Sequence, residues 1–544
     1  MTNYQFTGGT ICAPATIPGT GAISIIRVSG KESLAIADKV IDTKGVPIAE
    51  TEGYRLRYGT VFEADGSVLD NVIVSVFRAP HSYTGENSVE ISCHASRFIV
   101  NKILELLVNA GARIAAPGEF TRRAFVNGKM DLAQAEAVAD VIASQSAASH
   151  RVAMNQLKGG FSSELKVLRE KLLTMTSLLE LELDFSEEDV EFASRKELGQ
   201  LVDDSLTHIR RLTASFSRGN AIKNGVPVAI VGATNTGKST LLNALLGEER
   251  AIVSDIAGTT RDTIEETLNI DGILFRFIDT AGIRETDETI EKIGIDRTFK
   301  KLGEAAVVLG MTDLSRGEAA VLEDADFILS KVNEMGGVKN VGTENDGSET
   351  GGVSPAETGG APLAETGGAS QHGRDDGQER KVVILVNKCD VAGDFYKDDN
   401  DTGYGSGNDL GENMAEISDN KNVNHNNNIV SLIENKYDNC KVIPISAKTG
   451  KGLSTLTKTL GEIGSEITGS TDETLVTNVR HYEALVRAAS ALERVRAGLH
   501  IATLPPDLIA QDLREALYHL GEIVGEISTD ETLGNIFRNF CIGK

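Results

Sequence analysis

Gly232-Ala233-Thr234-Asn235-Thr236-Gly237-Lys238-Ser239-Thr240 fits the spacing G-x-x-x-x-G-K-[S/T]. Its setting fits as well: Val226 to Val231 reads as a buried strand, and Thr240 to Leu246 as a helix ended by Gly247. In such a loop the glycines let backbone N–H groups turn inward around phosphate oxygens, Lys238 adds a fixed positive charge, and Ser239 offers a hydroxyl to Mg²⁺.

Three further motifs follow in order. Asp279-Thr280-Ala281-Gly282 closes a strand, where the carboxylate is placed to hold Mg²⁺ through water and the Gly282 amide to sense a terminal phosphate. Asn387-Lys388-Cys389-Asp390 sets Asp390 to accept from the N1–H and N2–H₂ of guanine, and Ser446-Ala447-Lys448 backs the guanine carbonyl. Adenine lacks that donor pair, so the pattern predicts GTP over ATP. Ser254-Asp255-Ile256-Ala257-Gly258-Thr259-Thr260 reads as the first switch, with Thr260 completing the Mg²⁺ shell begun by Ser239. Ile283 stands where a Ras-like GTPase carries a water-orienting Gln, so the hydrolytic residue must lie elsewhere. Any acid of the downstream segment Arg284 to Glu291 is a candidate on spacing alone. Asn235, facing a backbone-rich switch loop, supplies oxygen suited to a large monovalent cation beside the phosphates, where K⁺ would take the place of an arginine finger.

These motifs need a sheet to hold them. Glu265 to Ile270 and Ile273 to Ile278, joined by Asp271-Gly272, predict an antiparallel hairpin at the edge of an otherwise parallel sheet, with further strands at Ala305 to Met311, Val382 to Val386 and Val442 to Ile445. Residues 1–118 read as an α+β module. Its expected strands are Ala22 to Val28, Tyr54 to Phe62 and Val72 to Phe77, its helices Glu32 to Val40 and Phe98 to Ala110, and its ligand-facing loops Pro80 to Glu86 and Arg113 to Thr121. From Phe120 to Arg218 the pattern turns helical, with Leu165, Leu168, Leu172, Met175 and Leu179 on one stripe; the texture returns in Tyr482 to Leu499 and Leu508 to Ile527, divided at Pro505-Pro506. The expected architecture is therefore multidomain α/β and α. An α+β domain (1–118) precedes a helical domain (119–219 and 466–544) into which a P-loop Ras-like domain (220–465) is inserted.

The formal charge of -25 argues against bulk attraction to nucleic acid or an anionic membrane. Segments 336–380 (eight acids, three bases) and 396–428 (seven acids, two bases) each carry -5 and read as disordered, solvated insertions, so the argument against RNA weakens. Between Arg113 and Lys129 four bases face one acid, a local patch for an anionic ligand or RNA. Five scattered cysteines suggest neither a disulfide framework nor a zinc site, and no long apolar run or signal peptide is present, so a soluble cytoplasmic protein is expected.

Along nearly its full length, the two insertions apart, the chain resembles the tRNA-modification GTPase MnmE (TrmE) family. The resemblance rests on Arg27 to Gly30, Ser82 to Glu86, Pro117 to Thr121, Ala124 to Leu132, the GTPase motifs, and the closing Phe540-Cys541-Ile542-Gly543-Lys544. It implies that residues 1–118 bind a 5-formyltetrahydrofolate-like ligand and dimerise, with Arg27, Glu90, Lys129 and Lys544 at the folate. It implies K⁺ among Asn235, Ser254, Ile256 and Thr259, Mg²⁺ on Ser239 and Thr260, and Glu291 orienting the attacking water through a second water. It further implies a homodimer that works with the FAD- and NADH-dependent MnmG partner, in a heterotetramer, to add an aminomethyl or carboxymethylaminomethyl group at C5 of wobble uridine 34 in tRNA, the folate supplying one carbon. Cys541 then becomes a candidate thiol in one-carbon transfer. Thr234 departs from a Pro common in the family's loop, and Ser254 from a Thr; both keep the needed backbone or hydroxyl. Two other readings compete: a GTP-driven RNA or ribosome assembly switch, and a folate-binding scaffold with a spent GTPase.

Overall fold

The computed structural model describes residues 8–184, 195–249, 266–278, 303, 305–334, 380–390, 423–437, 440–469, 473–501, 505–527, 529–538, 540 and 543. The chain divides into two compact units, one of Met1–Ser144, Ser149–Gly219 and Thr471–Lys544, the other of Gln145–Ala148 and Asn220–Ser470.

The first unit opens with β1 (Ile11–Pro14), β2 (Ile23–Ser29), α1 (Ser33–Val40), β3 (Ile41–Asp42), β4 (Arg55–Phe62), β5 (Val68–Phe77), β6 (Ser88–His94), α2 (Arg97–Asn109) and β7 (Arg113–Ile114). The strands form one sheet in the order β3-β4-β5-β6-β2-β1-β7, antiparallel throughout except that β7 joins β1 in parallel. Period-two alternation builds it: Ile26 and Val28 of β2, Val72, Val74 and Val76 of β5, and Val89 and Ile91 of β6 bury one face with Ile103 and Leu107 of α2. Strand β6 was absent from the expected elements, although Val89, Ile91 and Cys93 alternate with Ser88, Glu90 and Ser92. The stretch Arg113 to Thr121, expected as a loop, begins in β7 and ends in α3 (Glu119–Val126), whose Glu119 accepts from Ala116 N–H at 3.0 Å.

After α3 come α4 (Leu132–Ala143), α5 (Ala147–Leu157), α6 (Gly160–Asp184), α7 (Arg195–Ala214) and α8 (Phe216–Asn224). Asp131 and Gln134 form a reciprocal capping box that starts α4. The α6 stripe is core: Leu165, Leu172 and Leu179 pack with Leu198 and Ile209 of α7 and with Leu485, Leu492, Leu513 and Leu520 from the far end of the chain.

In the second unit β8 (Val226–Gly232), α9 (Lys238–Glu249), β9 (Glu266–Ile270), β10 (Ile273–Ile278), β11 (Val307–Asp313), α10 (Glu318–Glu334), β12 (Lys381–Asn387), α11 (Val423–Lys436), β13 (Cys440–Pro444) and α12 (Leu453–Thr468) follow. The sheet runs β13-β12-β11-β8-β10-β9, parallel except for the edge hairpin β9–β10. Both faces are covered, as a parallel sheet requires: Val228, Leu309 and Leu385 face one core, Ala229, Val308 and Ile384 the other. Gly247 does not end its helix; α9 continues to Glu249, and a Cβ at Gly247 would meet open space. Helix α11 begins at Val423, inside the stretch expected as the second insertion, because Ile433 buries beneath the strands and the helix extends back from it. The first unit is completed by α13 (Val479–Leu499), α14 (Pro506–Val524) and α15 (Asp530–Arg538), with Pro505 as the N-cap of α14.

Among the described residues no helix is long and apolar enough to cross a membrane, and no cluster of three His, Cys, Asp or Glu is placed to hold a metal. Cys12, Cys93, Cys389 and Cys440 are free and buried, and burial pushes each thiol up to about 11.

Candidate functional site

The phosphate loop leaves the central strand β8 at Gly232 and enters α9 at Lys238. Asn235 sits at φ 61, a left-handed conformation that asparagine tolerates better than most residues, and its side chain is exposed. Gly237 has φ 99 and a Cβ there would collide with Asn387 Nδ2, so only glycine admits the close approach of the two loops. That approach is a hydrogen bond: Asn387 Nδ2 donates to Thr236 O at 2.7 Å. Asn387 Oδ1 in turn accepts from Ala447 N–H at 3.0 Å. One buried amide thus joins the phosphate loop, the Asn-Lys-Cys-Asp loop and the Ser-Ala-Lys loop, three segments that meet at the C-terminal ends of β8, β12 and β13.

Around that knot the candidate residues take distinct positions. Lys238 Nζ donates to Gly232 O (2.9 Å) and Ala233 O (2.7 Å), and burial lowers its affinity for a proton. Thr236 is fully buried and donates to Ala233 O, while Ser239 is half-buried and Thr240 exposed. Asp390 lies exposed with Oδ1 accepting from Ser446 Oγ at 2.7 Å, which orients the carboxylate; Lys448, in the same loop as Ser446, is exposed. Lys388, at φ 64, donates from Nζ to Asp313 Oδ2 at 2.6 Å. Asp313 had not been singled out from the sequence. The remaining GTPase candidates, Ser254, Asp255, Ile256, Ala257, Gly258, Thr259, Thr260, Asp279, Thr280, Ala281, Gly282 and Glu291, lie outside the described residues.

A second group of candidates sits on the seven-stranded sheet. Antiparallel pairing of β2 and β6 sets Arg27 opposite Glu90, and they form an ion pair, with Nη2 2.8 Å and Nε 3.0 Å from Oε1. Because Ile26 and Val28 point into the core, Arg27 is on the other face. There its guanidinium stands 5.1 Å from the Tyr83 ring centroid and 5.7 Å from that of Phe120. The Tyr83 hydroxyl hydrogen-bonds with Thr121 Oγ1 at 2.8 Å, and burial raises the phenol's pKa.

Beside the pair runs a ladder of charges: Ser29 donates to Glu86, Glu86 accepts twice from Arg123 (3.1 and 3.0 Å), and Glu119 accepts from Arg123 (3.1 Å) and from Arg113 (2.5 Å). Burial would raise the Glu119 pKa, yet Arg113, the Ala116 N–H and Arg123 outweigh it and hold the carboxyl below its usual range. Glu86 and Glu119 stand within motifs of the sequence, but neither carries a role that its spacing reveals. Lys129 is exposed; its Nζ donates to Pro80 O at 3.0 Å and its stem lies against Gly85. Cys541 and Lys544 lie outside the described residues, but their neighbour Gly543 is described. It is buried at φ 99, and a Cβ there would collide with Pro14 O, on the strand whose Ala13 pairs with Arg27.

Comparison with known proteins identifies the family. Residues 10–129 match the family described as GTP-binding protein TrmE N-terminus, and residues 132–541 match the MnmE helical domain. A tRNA modification GTPase MnmE of Parabacteroides distasonis is 45% identical over 98% of this chain and 100% of its own length. Its counterpart in Bacteroides thetaiotaomicron is 44% identical over 98% and 99%, and that of Porphyromonas gingivalis 43% over 99% and 99%. A solved GTP-binding protein of Sulfolobus solfataricus, in complex with GDP, overlaps at a TM-score of 0.25 and 14% identity over 55% of this chain and 67% of that one, too loosely to carry an argument. Family matches over both ends and relatives aligned over nearly the whole length lead to one conclusion: the chain belongs to the MnmE family of tRNA modification GTPases.

Proposed function

We propose that the chain is a K⁺-stimulated GTP hydrolase that acts as a homodimer in the cytoplasm. With the FAD- and NADH-dependent MnmG partner it installs an aminomethyl or carboxymethylaminomethyl group at C5 of wobble uridine 34, using a folate one-carbon unit. The observation that carries the nucleotide half is the shared amide of Asn387, which ties base recognition to the phosphate loop. Asp390, oriented by Ser446, accepts from the guanine edge; Lys238 and the loop N–H groups hold the phosphates. Ser239 and Thr260 are the Mg²⁺ ligands in this reading, and Asn235, Ser254, Ile256 and Thr259 the K⁺ ligands. Asn235 suits that task, being exposed at the outer edge of the loop. Glu291 positions the water that Ile283 cannot.

The folate half rests on the Arg27–Glu90 pair, whose guanidinium lies near the rings of Tyr83 and Phe120, a carboxylate and a guanidinium fit for the donor edge of a pterin and for a glutamyl tail. Lys129 and Lys544 add charge for the tail, and Cys541 is a thiol for one-carbon transfer. Residues 1–118 are the folate-binding and dimerising domain, 220–465 the GTPase domain, and 119–219 with 466–544 the helical domain that joins them in sequence. When bound, the folate supplies the transferable carbon; the protein's residues bind and orient it.

GTP turnover in K⁺ against Na⁺, with Glu291→Ala alongside, tests the reading. K⁺ is expected to raise turnover well above that in Na⁺, and Glu291→Ala to lower it about 10²-fold. Equal rates in both salts would sink the cation role. Normal wobble-uridine modification in a strain carrying only a hydrolysis-dead variant would favour the assembly switch.

A further inference from the structure

Two lysines, Lys238 of the phosphate loop and Lys388 of the Asn-Lys-Cys-Asp loop, are treated differently by the fold. Among the described residues Lys238 meets only the carbonyls of Gly232 and Ala233. Lys388 is instead neutralised by Asp313, whose carboxylate is buried at the last position of β11, directly beside Asn387 in the β11–β12 register. Both oxygens of that carboxylate are engaged: Oδ1 takes Ser315 N–H (3.0 Å) and Ser315 Oγ (2.6 Å), and Oδ2 takes Lys388 Nζ (2.6 Å). Lys388 needs such an anchor, because its backbone is held at φ 64, where a residue with a Cβ is strained.

We propose that Asp313 is a positioning residue for the guanine nucleotide: it clamps Lys388 so that Asn387 and Asp390 on either side keep their geometry toward the base. It also cancels the Lys388 charge, leaving Lys238 as the lysine directed at phosphate. The inference rests on the reading of Asn387 to Asp390 as the guanine loop and deepens it. The clamp is not local in sequence, since 75 positions separate the partners.

The test is the affinity and dissociation rate of a fluorescent GDP analogue on the full-length chain, together with KM and kcat for GTP. Asp313→Asn is expected to speed GDP release and raise KM about tenfold, the loss of one charge-assisted hydrogen bond, with kcat at saturating GTP within about twofold. Lys388→Met removes the same contact from the loop side and keeps the test alive if Asp313→Asn folds poorly; the two changes combined should cost no more than the worse one. Parental GDP binding by Asp313→Asn, or effects that multiply in the double variant, would overturn the clamp. Asp390→Asn separates the two readings. An amide donates where guanine's amino group donates but xanthine's carbonyl accepts, so this variant should prefer xanthosine diphosphate. A retained guanine preference would remove the loop reading and the clamp with it; a switched preference beside a neutral Asp313→Asn would remove the clamp alone.

Discussion

Arg27 meets Glu90 because β2 and β6 run antiparallel and set the two residues opposite each other. Asn387 meets Thr236 and Ala447 by a different route: each ends or follows a parallel strand, and the right-handed crossovers of the sheet return all three to one edge. The first arrangement presents charge on a pleated face, where Glu86, Arg123 and Glu119 continue it sideways. The second presents backbone groups and one neutral amide on loops. Charges on a rigid face suit a ligand recognised by its own charges at fixed separation. Loops tied by an amide suit a nucleotide whose terminal phosphate is gained and lost, because they hold the base firmly while leaving neighbouring segments free to respond.

Breaking the charge ladder at its centre should have the largest effect. Arg123 is almost wholly buried between Glu86 and Glu119, so Arg123→Met leaves Glu86 without its cation and Glu119 with Arg113 alone, and is expected to destabilise the first unit by about 3–5 kcal/mol. Calorimetry would check this; a change under about 1 kcal/mol would mean that Arg113 alone holds the ladder.

Asn387→Ala strips both partners from Thr236 O and Ala447 N–H. About 2–3 kcal/mol of destabilisation should accompany a severe loss of GDP binding, whereas binding of the proposed folate ligand on the other unit should stay parental. Urea titration and nucleotide binding read the two effects separately, and a loss of folate binding as well would show that the sites are not independent.

Acid should act more gently. The Glu119 carboxyl is held below the 4.5 of an ordinary glutamate, so it contributes stability that is fully present above about that pH and is lost as pH falls through its lower folded value. Melting temperature should therefore drop below pH 4.5, and Glu119→Gln should flatten that part of the profile; an unchanged slope would place the acid sensitivity elsewhere.

Much of this was legible before the fold. The phosphate loop, the hairpin at Asp271-Gly272 and the stripe on α6 are each contained within a short stretch, so spacing reveals them. Strand β6 was missed because Ser88, Glu90 and Ser92 dilute its apolar residues, yet its Val-x-Ile-x-Cys alternation was the available signal. Gly247 misled because an exposed glycine can stay inside a helix at modest cost when its neighbours Leu242 and Leu245 are buried.

What the sequence determined by itself was the chemistry: a phosphate loop needs consecutive backbone N–H groups, glycines and a lysine, and these must be contiguous to work. Tertiary structure alone decided the partners. That Asp313 faces Lys388, that Asn387 spans two other loops, and that Gly543 packs on Pro14 beside the Arg27 strand follow from strand order and register over long separations. Such contacts depend on which segments share a core, and no local pattern of residues specifies that.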